Sequence, residues 1–361
     1  MFVTRKWAPA VGGMETYSVE LTTELARHIS VEVVALSGNV DGSRPQALAL
    51  ISFAFKAISR YLRRENPPTI LHIGDMASWP LALMAWTRFP RASIVISAHG
   101  TDVSYHRRKS IRGWLYGTYL RAGARLLHSV KVIANSAATM GAAGETGWHT
   151  AAIVPLATRL GVKMVPEGHN GAILFVGRLV ERKGCLWFVR NVLPLLPSAI
   201  TLKVAGTLWD ELESAALDDP RVEFLGPLHG EELLDAYRSA MCVILPNIEP
   251  VSGEFEGFGL VAAEAAASGG VVLAARCGGL IEAVIDRTTG FLLSSGKAGA
   301  WRDKILEIAE WSANERHAFA CNAMKQSQAH YTWPRVAKET LTVYYDAFMP
   351  GKTHEQDRGQ A

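Results

Sequence analysis

Cysteine is scarce in this chain: four in 361 residues, Cys185, Cys242, Cys277 and Cys321, with no Cys-x-x-Cys pair. That excludes a disulfide framework and a cysteine zinc site, and it suits a reducing compartment. No stretch reaches the roughly 18 uncharged apolar residues that a membrane span requires. The opening MFVTRKWAPAVGG puts charge and proline where a signal peptide needs an apolar core. A spanning or exported protein is therefore not expected, and the expected location is cytoplasmic. Low-complexity tracts are also missing, so 49% apolar and 20% charged residues read as ordered globular protein, with a flexible tail expected only over 350–361. At roughly 150 residues per domain the length excludes a single small domain and points to two.

Charge is present but unevenly placed. Residues 1–165 hold 19 Lys and Arg against 9 Asp and Glu, whereas 166–361 hold 18 against 25. A basic and an acidic half should face different partners. With no helix-turn-helix or finger spacing, nucleic acid is not among them.

Short β-rich apolar runs alternate with helical patterns. The first half predicts strands at Phe2–Thr4, Val31–Leu36, Thr69–Ile73, Ser93–Ala98, Lys131–Ala134 and Ala152–Val154, with helical stretches Thr16–His28, Ala47–Arg64, Tyr105–Leu127 and Ala137–Glu145 between them. The pattern restarts at Ile173–Val176 and continues through Thr201–Ala205, Val222–Leu225, Val243–Leu245, Val271–Ala274 and Phe291–Leu293. Three helical stretches, about 297–312, 315–329 and 335–348, follow without strands and should pack across the outside of the second sheet. This is α/β architecture: two doubly wound, Rossmann-like domains facing a central cleft, where open α/β sheets bind ligands at their carboxyl ends. The expected division is 1–158, a linker over 159–171, a second domain over 172–333 and a closing helix over 334–349.

The strand ends carry the candidate chemistry. After the first strand, Gly12-Gly13 lets backbone N–H groups approach a ligand at a helix N-terminus, which favours an anion. The fourth strand ends in His99-Gly100-Thr101-Asp102; Asp102 is the better cap for the next helix, which frees His99 to turn its imidazole toward the cleft. Following Ile173–Val176, Arg178 and Lys183 lie five apart in a glycine-flanked loop and can converge on a diphosphate, one as a planar fork and one as a point charge. The stretch EGFGLVAAEAAASG, from Glu256 to Gly269, opens an alanine-rich helix. Glu264 sits inside its apolar run, where a carboxylate is costly unless it accepts hydrogen bonds such as those of a ribose diol. Glu256 just before the helix would reach another part of the same ligand, or serve as a helix-dipole partner.

Together these motifs, with GGLIEAVIDRTTGFLL (Gly278 to Leu293) and HYTWPRVA (His330 to Ala337), resemble the retaining GT-B glycosyltransferases of family 4 over nearly the whole chain. The resemblance implies a nucleotide-diphosphate sugar as co-substrate in the second domain, with Arg178 and Lys183 on the diphosphate, Glu264 on the ribose and Glu256 on the sugar. Gly12 and Gly13 would close over the phosphates from the first domain, and His99 would lie near the sugar. Gly257, Phe258, Gly259 and Leu260 complete the implied donor site. No cofactor or metal is implied. The expected activity is sugar transfer to a glycan or lipid-linked acceptor, in cell-surface polysaccharide or glycolipid synthesis. A nucleotide-sugar epimerase or hydrolase of the same fold, and a non-catalytic two-domain binding protein, stay open as alternatives.

One segment of the basic half suggests a further partner. In YHRRKSIRGWLYGTYLRAGAR, from Tyr105 to Arg125, six cations surround Trp114, Leu115, Tyr116, Tyr119 and Leu120. Ala47–Arg64 adds Lys56, Arg60, Arg63 and Arg64 behind an apolar stripe. Two readings remain: docking on an anionic membrane surface at its inner face, or amphipathic helices that cover the sheet with solvated cations outward.

Overall fold

The computed structural model describes residues 1–10, 12–39, 45–158 and 168–349. Of the expected linker only 168–171 fall among these, and the expected tail over 350–361 lies outside them.

The strand runs form two parallel six-stranded sheets. The first contains β1 (Phe2–Trp7), β2 (Val33–Ser37), β3 (Ile70–Ile73), β4 (Ser93–Ala98), β5 (Lys131–Ala134) and β6 (Thr150–Ile153), in the order β2-β1-β3-β4-β5-β6. Its helices are α1 (Gly13–Leu25), α2 (Ala47–Arg63), α3 (Trp79–Arg88), α4 (Thr101–Ser104), α5 (Ile111–Leu126) and α6 (Ala137–Gly144). The second sheet contains β7 (Ile173–Val176), β8 (Leu202–Ala205), β9 (Val222–Gly226), β10 (Cys242–Leu245), β11 (Val272–Ala275) and β12 (Phe291–Leu293), in the order β12-β11-β10-β7-β8-β9. It is accompanied by α7 (Cys185–Asn191), α8 (Gly230–Ser239), α9 (Leu260–Ala267), α10 (Leu280–Ala283), α11 (Ala298–Ala309), α12 (Ala313–His330) and α13 (Trp333–Phe348).

Helices on both faces of a parallel sheet bury its strands on both sides, which is why β10 and β11 read as unbroken apolar runs rather than alternating ones. Strand order reverses beside β1 in one sheet and beside β7 in the other. The crevices at those reversals open toward the loops that follow β1 and β7, the two places where a doubly wound sheet receives a ligand.

Two features differ from the sequence reading. The helical stretch Tyr105–Leu127 is broken: a 3-10 turn covers Tyr105–Arg107, and α5 begins only after Ser110, whose hydroxyl accepts the Gly113 N–H at 3.1 Å and so caps a fresh helix start. The last three helices do not share one surface. α12 packs on α9, but α13 crosses to the first domain and lies on α1, β4 and β5. The crossing is explained by its apolar face: Trp333, Val336, Ala337, Val343 and Tyr344 join a buried cluster that also holds Tyr17, Leu21 and Val95 of the first domain. Phe255 makes the reverse exchange, from a second-domain loop into the core of the first. The two domains are thereby held by side chains that each lends to the other.

Close backbone approach fixes the loops after β7 and β8. A Cβ on Gly206 would stand 1.8 Å from the Gly177 carbonyl oxygen, and Gly206 has φ 152°. Gly206→Ala is expected to destabilise the protein by about 2 kcal/mol or more, because both the strain and the clash are with backbone. Gly141→Ala in α6, where a Cβ meets nothing within 4 Å, is expected to be neutral or stabilising by up to about 1 kcal/mol. Urea unfolding of the two variants checks both; equal midpoints would contradict the close-approach argument.

Candidate active site

The carboxyl ends of β7 and β10 bring together the charged residues expected to share a ligand. Lys183, buried at the end of the β7 loop, donates from Nζ to Glu256 Oε2 at 2.7 Å. Asn247, just after β10, donates from Nδ2 to the same oxygen at 3.4 Å, while its own Oδ1 is buried without a partner. Burial works to raise the Glu256 carboxyl, but Lys183 and Arg182 outweigh it and hold the group at about 2. For Lys183 the order is reversed: burial lowers its value more than Glu256 raises it. The carboxylate is thus strongly ionised, and the ammonium keeps donor capacity beyond its one partner.

Arg178 stands differently. Its guanidinium lies over the Trp209 ring, 4.8 Å from the centroid. Burial, then Arg182, lowers its pKa, while Glu256, Glu15 and Glu254 pull the other way. Trp209 is itself fixed, since its indole N–H donates to Thr207 Oγ1 at 3.0 Å and its backbone N–H donates to the Leu179 carbonyl. The sequence reading missed Trp209, which stands 31 positions from Arg178; the only local signal was an exposed-type aromatic after a strand-end glycine. A cation held over a ring is oriented without being neutralised.

Glu264 lies on α9 as expected, with one weak partner: Tyr237 Oη donates to its Oε2 at 3.5 Å. Burial pushes its carboxyl up to about 7, against smaller opposing pulls from Tyr237 and Lys183. Glu256 and Glu264, eight residues apart, therefore differ in protonation at neutral pH. Gly259, with φ 94°, starts α9 in a left-handed conformation, and a Cβ there would strike Leu280 at 2.5 Å. Phe258 turns its side chain into the core against Tyr331, ring centroids 6.0 Å apart.

The first domain supplies the facing wall. A Cβ on Gly100 would stand 2.6 Å from Gly257 Cα, so the end of β4 and the Glu256 loop touch through backbone. Gly13 faces Leu260, whose Cδ1 would lie 3.4 Å from a Cβ at that position. Glu15 in the first turn of α1 bends over Gly12, 2.6 Å from where a Cβ would stand, and pairs with Lys6 at 3.1 Å. His99 is buried, with Nε2 at 3.0 Å from the Gly74 carbonyl oxygen. A carbonyl only accepts, so Nε2 carries the proton; in the neutral ring Nδ1 is then an acceptor, and it is buried without a partner. Asp102 does bind backbone, but rather than capping α4 it accepts the N–H groups of His99 at 2.8 Å and Met76 at 2.9 Å, tying the ends of β3 and β4 together. Gly13 and Gly100 thus meet Leu260 and Gly257 across one junction between the domains, with the Lys183–Glu256 pair beside it, while Asp102 stays within the first domain and Glu264 within the second.

Cations of the Tyr105–Arg125 segment divide. Arg107 pairs with Glu145 at 2.6 Å and donates to the Gly253 carbonyl, and Arg108 binds Glu254, so both are engaged at the domain junction. Lys109, Arg112, Arg121 and Arg125 remain exposed.

Comparison with known proteins agrees with this geometry. Residues 170–310 match the family model of the glycosyl transferases group 1, and residues 11–155 match that of glycosyltransferase family 4. Each half of the chain is thus matched separately by the same class of protein. The chain belongs to the group 1 glycosyltransferases of family 4.

Among curated relatives, a D-inositol 3-phosphate glycosyltransferase of Corynebacterium diphtheriae is 32% identical over 205 residues, 53% of this chain and 46% of that protein. An uncharacterised glycosyltransferase of Methanocaldococcus jannaschii is 32% identical over 181 residues, 48% of this chain and 44% of that protein. The chain spans about half the length of the curated relatives it matches. Solved structures share the GT-B fold over nearly its full length. Sucrose-phosphate synthase of Thermosynechococcus elongatus superposes with TM-score 0.70 at 20% identity, covering 96% of this chain and 98% of that one. HepE of Anabaena, in complex with UDP and glucose, gives TM-score 0.68 at 18% identity, covering 95% and 99%.

The raised Glu264 sets a pH dependence. Folding keeps its proton on, so its ionisation takes stability away as pH rises from about 4.5 to about 7. A ligand that donates hydrogen bonds to the carboxylate favours the ionised form and must bind better at high pH. If a nucleoside diphosphate binds through this carboxylate, its affinity is expected to be about tenfold weaker at pH 6 than at pH 8, from a group titrating near 7. Calorimetric titration of wild type beside Glu264→Gln checks this, because the variant subtracts the terminal phosphate's own titration. The same pH profile in both proteins would show that Glu264 takes no part in binding the nucleotide.

Proposed function

We propose that this protein transfers a sugar, with retention at the anomeric carbon, from a nucleoside diphosphate donor to a glycan or lipid-linked acceptor held by the basic first domain. The observation that carries this reading is the meeting of Arg178, Lys183, Glu256 and Glu264 at the ends of β7 and β10, opposite Gly12, Gly13 and His99. Glu264 would take the ribose hydroxyls and Glu256 the hydroxyls of the sugar. The demanding step is departure of the diphosphate from an oxocarbenium-like anomeric carbon. Arg178, held on Trp209, and Lys183 would meet the charge that develops on the leaving group, which is the arrangement that lowers such a barrier. His99 would accept a sugar hydroxyl at Nδ1. Supporting a uridine donor, HepE of Anabaena was solved with UDP and with UDP-glucose. With two protein cations in place, no metal is required by this scheme.

The test is direct. Thermal shifts with UDP, GDP and ADP identify the nucleotide, and product analysis with and without acceptor separates transfer from epimerisation or hydrolysis. Arg178→Ala and Lys183→Ala are each expected to slow turnover about 100-fold with the fold intact, and activity is expected to survive excess EDTA. Wild-type rates in both variants would remove the assignment.

A lipid-linked acceptor is favoured by one surface. On α2, Leu48, Ile51, Phe55 and Leu62 are exposed beside Lys56 and Arg63, and on α5 Ile111, Trp114 and Leu115 are exposed beside Lys109 and Arg112. Among the described residues no helix is long and apolar enough to cross a membrane, so this face would dock on an anionic surface rather than insert through it. Each cation near such a surface contributes about 1 kcal/mol, screened over about 8 Å at physiological salt. The protein is expected to sediment with phosphatidylglycerol vesicles at low salt, to be released at high salt, and to lose binding in Phe55→Ser. No binding at low salt would favour a soluble acceptor.

A further inference from the structure

The helix that crosses between the domains ends a buried chain of polar groups. Tyr344 Oη on α13 lies 2.6 Å from His72 Nδ1 on β3; His72 Nε2 lies 2.7 Å from Ser97 Oγ on β4; and Ser97 Oγ lies 2.7 Å from Tyr17 Oη on α1. The Tyr17 ring then meets the His99 ring edge to face, with centroids 4.5 Å apart. All five side chains are buried.

Burial pushes His72 down to about 3, so its ring is neutral at working pH, with one nitrogen donating and the other accepting. The chain therefore has a direction. If Nδ1–H donates to Tyr344, Nε2 accepts from the Ser97 hydroxyl and Ser97 in turn accepts from Tyr17; if Tyr344 donates to Nδ1, Nε2–H donates to Ser97, whose own hydroxyl is then free to donate to Tyr17. In either sense every bond is made, and losing one member leaves the next with an unfilled site in the core. Apolar side chains would fill this space at lower cost in desolvation, since a buried polar network is only as good as its completeness. What the network adds is a defined position: it runs from the helix that the second half of the chain lends to the first, and ends against the imidazole at the domain junction. His99 has one other side-chain tether, the Gly74 carbonyl. The ring of Tyr17 therefore sets the second coordinate of its orientation.

We propose that Tyr17 and, through His72 and Ser97, Tyr344 are positioning residues for His99, so that docking of α13 sets where its imidazole stands against the donor sugar. This rests on the reading of His99 as a sugar contact. The experiment is a pair of double-mutant cycles. Tyr17→Phe and Tyr344→Phe are each measured alone and with His99→Ala, with Thr340→Val as a control on the same helix, since Thr340 Oγ1 makes no hydrogen bond. The readout is nucleoside diphosphate release from UDP-glucose, GDP-mannose or ADP-glucose, whichever is turned over fastest.

His99→Ala is expected to lower kcat tenfold or more, and each Tyr→Phe about 3- to 10-fold with KM little changed, the range of one lost hydrogen bond. In the His99→Ala background the tyrosine variants should have no further effect, and Thr340→Val should have none in either. Equal losses with and without His99 would make the chain merely structural and overturn the proposal. So would wild-type kcat in both tyrosine variants. An unchanged kcat in His99→Ala alone would instead remove the sugar-contact reading on which the proposal rests, leaving the diphosphate site untouched.

Discussion

The buried ion pair of Lys183 with Glu256 is the constraint around which the rest of the site is arranged. Removing two charges from water is costly, and the attraction between them repays that cost only with good geometry and additional hydrogen bonds. Asn247 and the neighbouring Arg182 supply part of the remainder. An ion pair in this position is a poor choice for stability alone, since well-packed apolar groups usually serve as well. Its value lies in what it holds ready: an ammonium with donor capacity unused and a carboxylate kept ionised at the point where one domain touches the other.

Glycine makes that contact possible. Gly100 against Gly257, and Gly177 against Gly206, bring backbone to backbone at distances that no side chain allows. The first approach closes the β4 end onto the Glu256 loop; the second ties together the loops carrying Arg178 and Trp209. A loop bound at this density presents its side chains without paying ordering entropy at the moment a ligand arrives. The same logic explains why Arg178 leans on an aromatic ring. A carboxylate partner would orient it equally well but would compete with an anionic ligand, whereas the ring orients and leaves the charge available.

Much of the fold was legible because parallel strands buried on both faces announce themselves as apolar runs, and Ser93–Ala98, Lys131–Ala134, Ile173–Val176 and Phe291–Leu293 begin and end where the sequence places them. The candidate site was legible for a related reason: strand-end loops concentrate glycine and charge within a few residues, so Arg178 with Lys183 and Glu256 with Glu264 can be read locally. What escaped was everything set by distant partners. Arg107 and Arg108 read as one face of a long helix, yet their partners Glu145 and Glu254 lie 38 and 146 positions away. Nothing near Trp333–Phe348 states that its apolar face belongs to α1 and β4. Trp209 and Tyr17 carry no motif at all, because their role comes from the neighbours that the fold supplies.

The pair of carboxylates within one segment shows how far environment outweighs residue type. Glu256 and Glu264 share a loop-helix unit, yet one is held at about 2 by cations and the other is raised to about 7 by burial with a single long hydrogen bond. A carboxylate in the first condition is already satisfied electrostatically and gains modestly from a new donor. In the second condition the group pays for its burial until donors arrive, so a diol that supplies two hydrogen bonds recovers a penalty the fold has already accepted. Binding strength should therefore concentrate at the Glu264 end of the cleft, and charge control at the Glu256 end, next to Lys183 and Arg178. For the proposed transfer, that separation would provide a handle gripped away from the reacting bond, and fixed charges beside it whose contribution grows as the bond breaks.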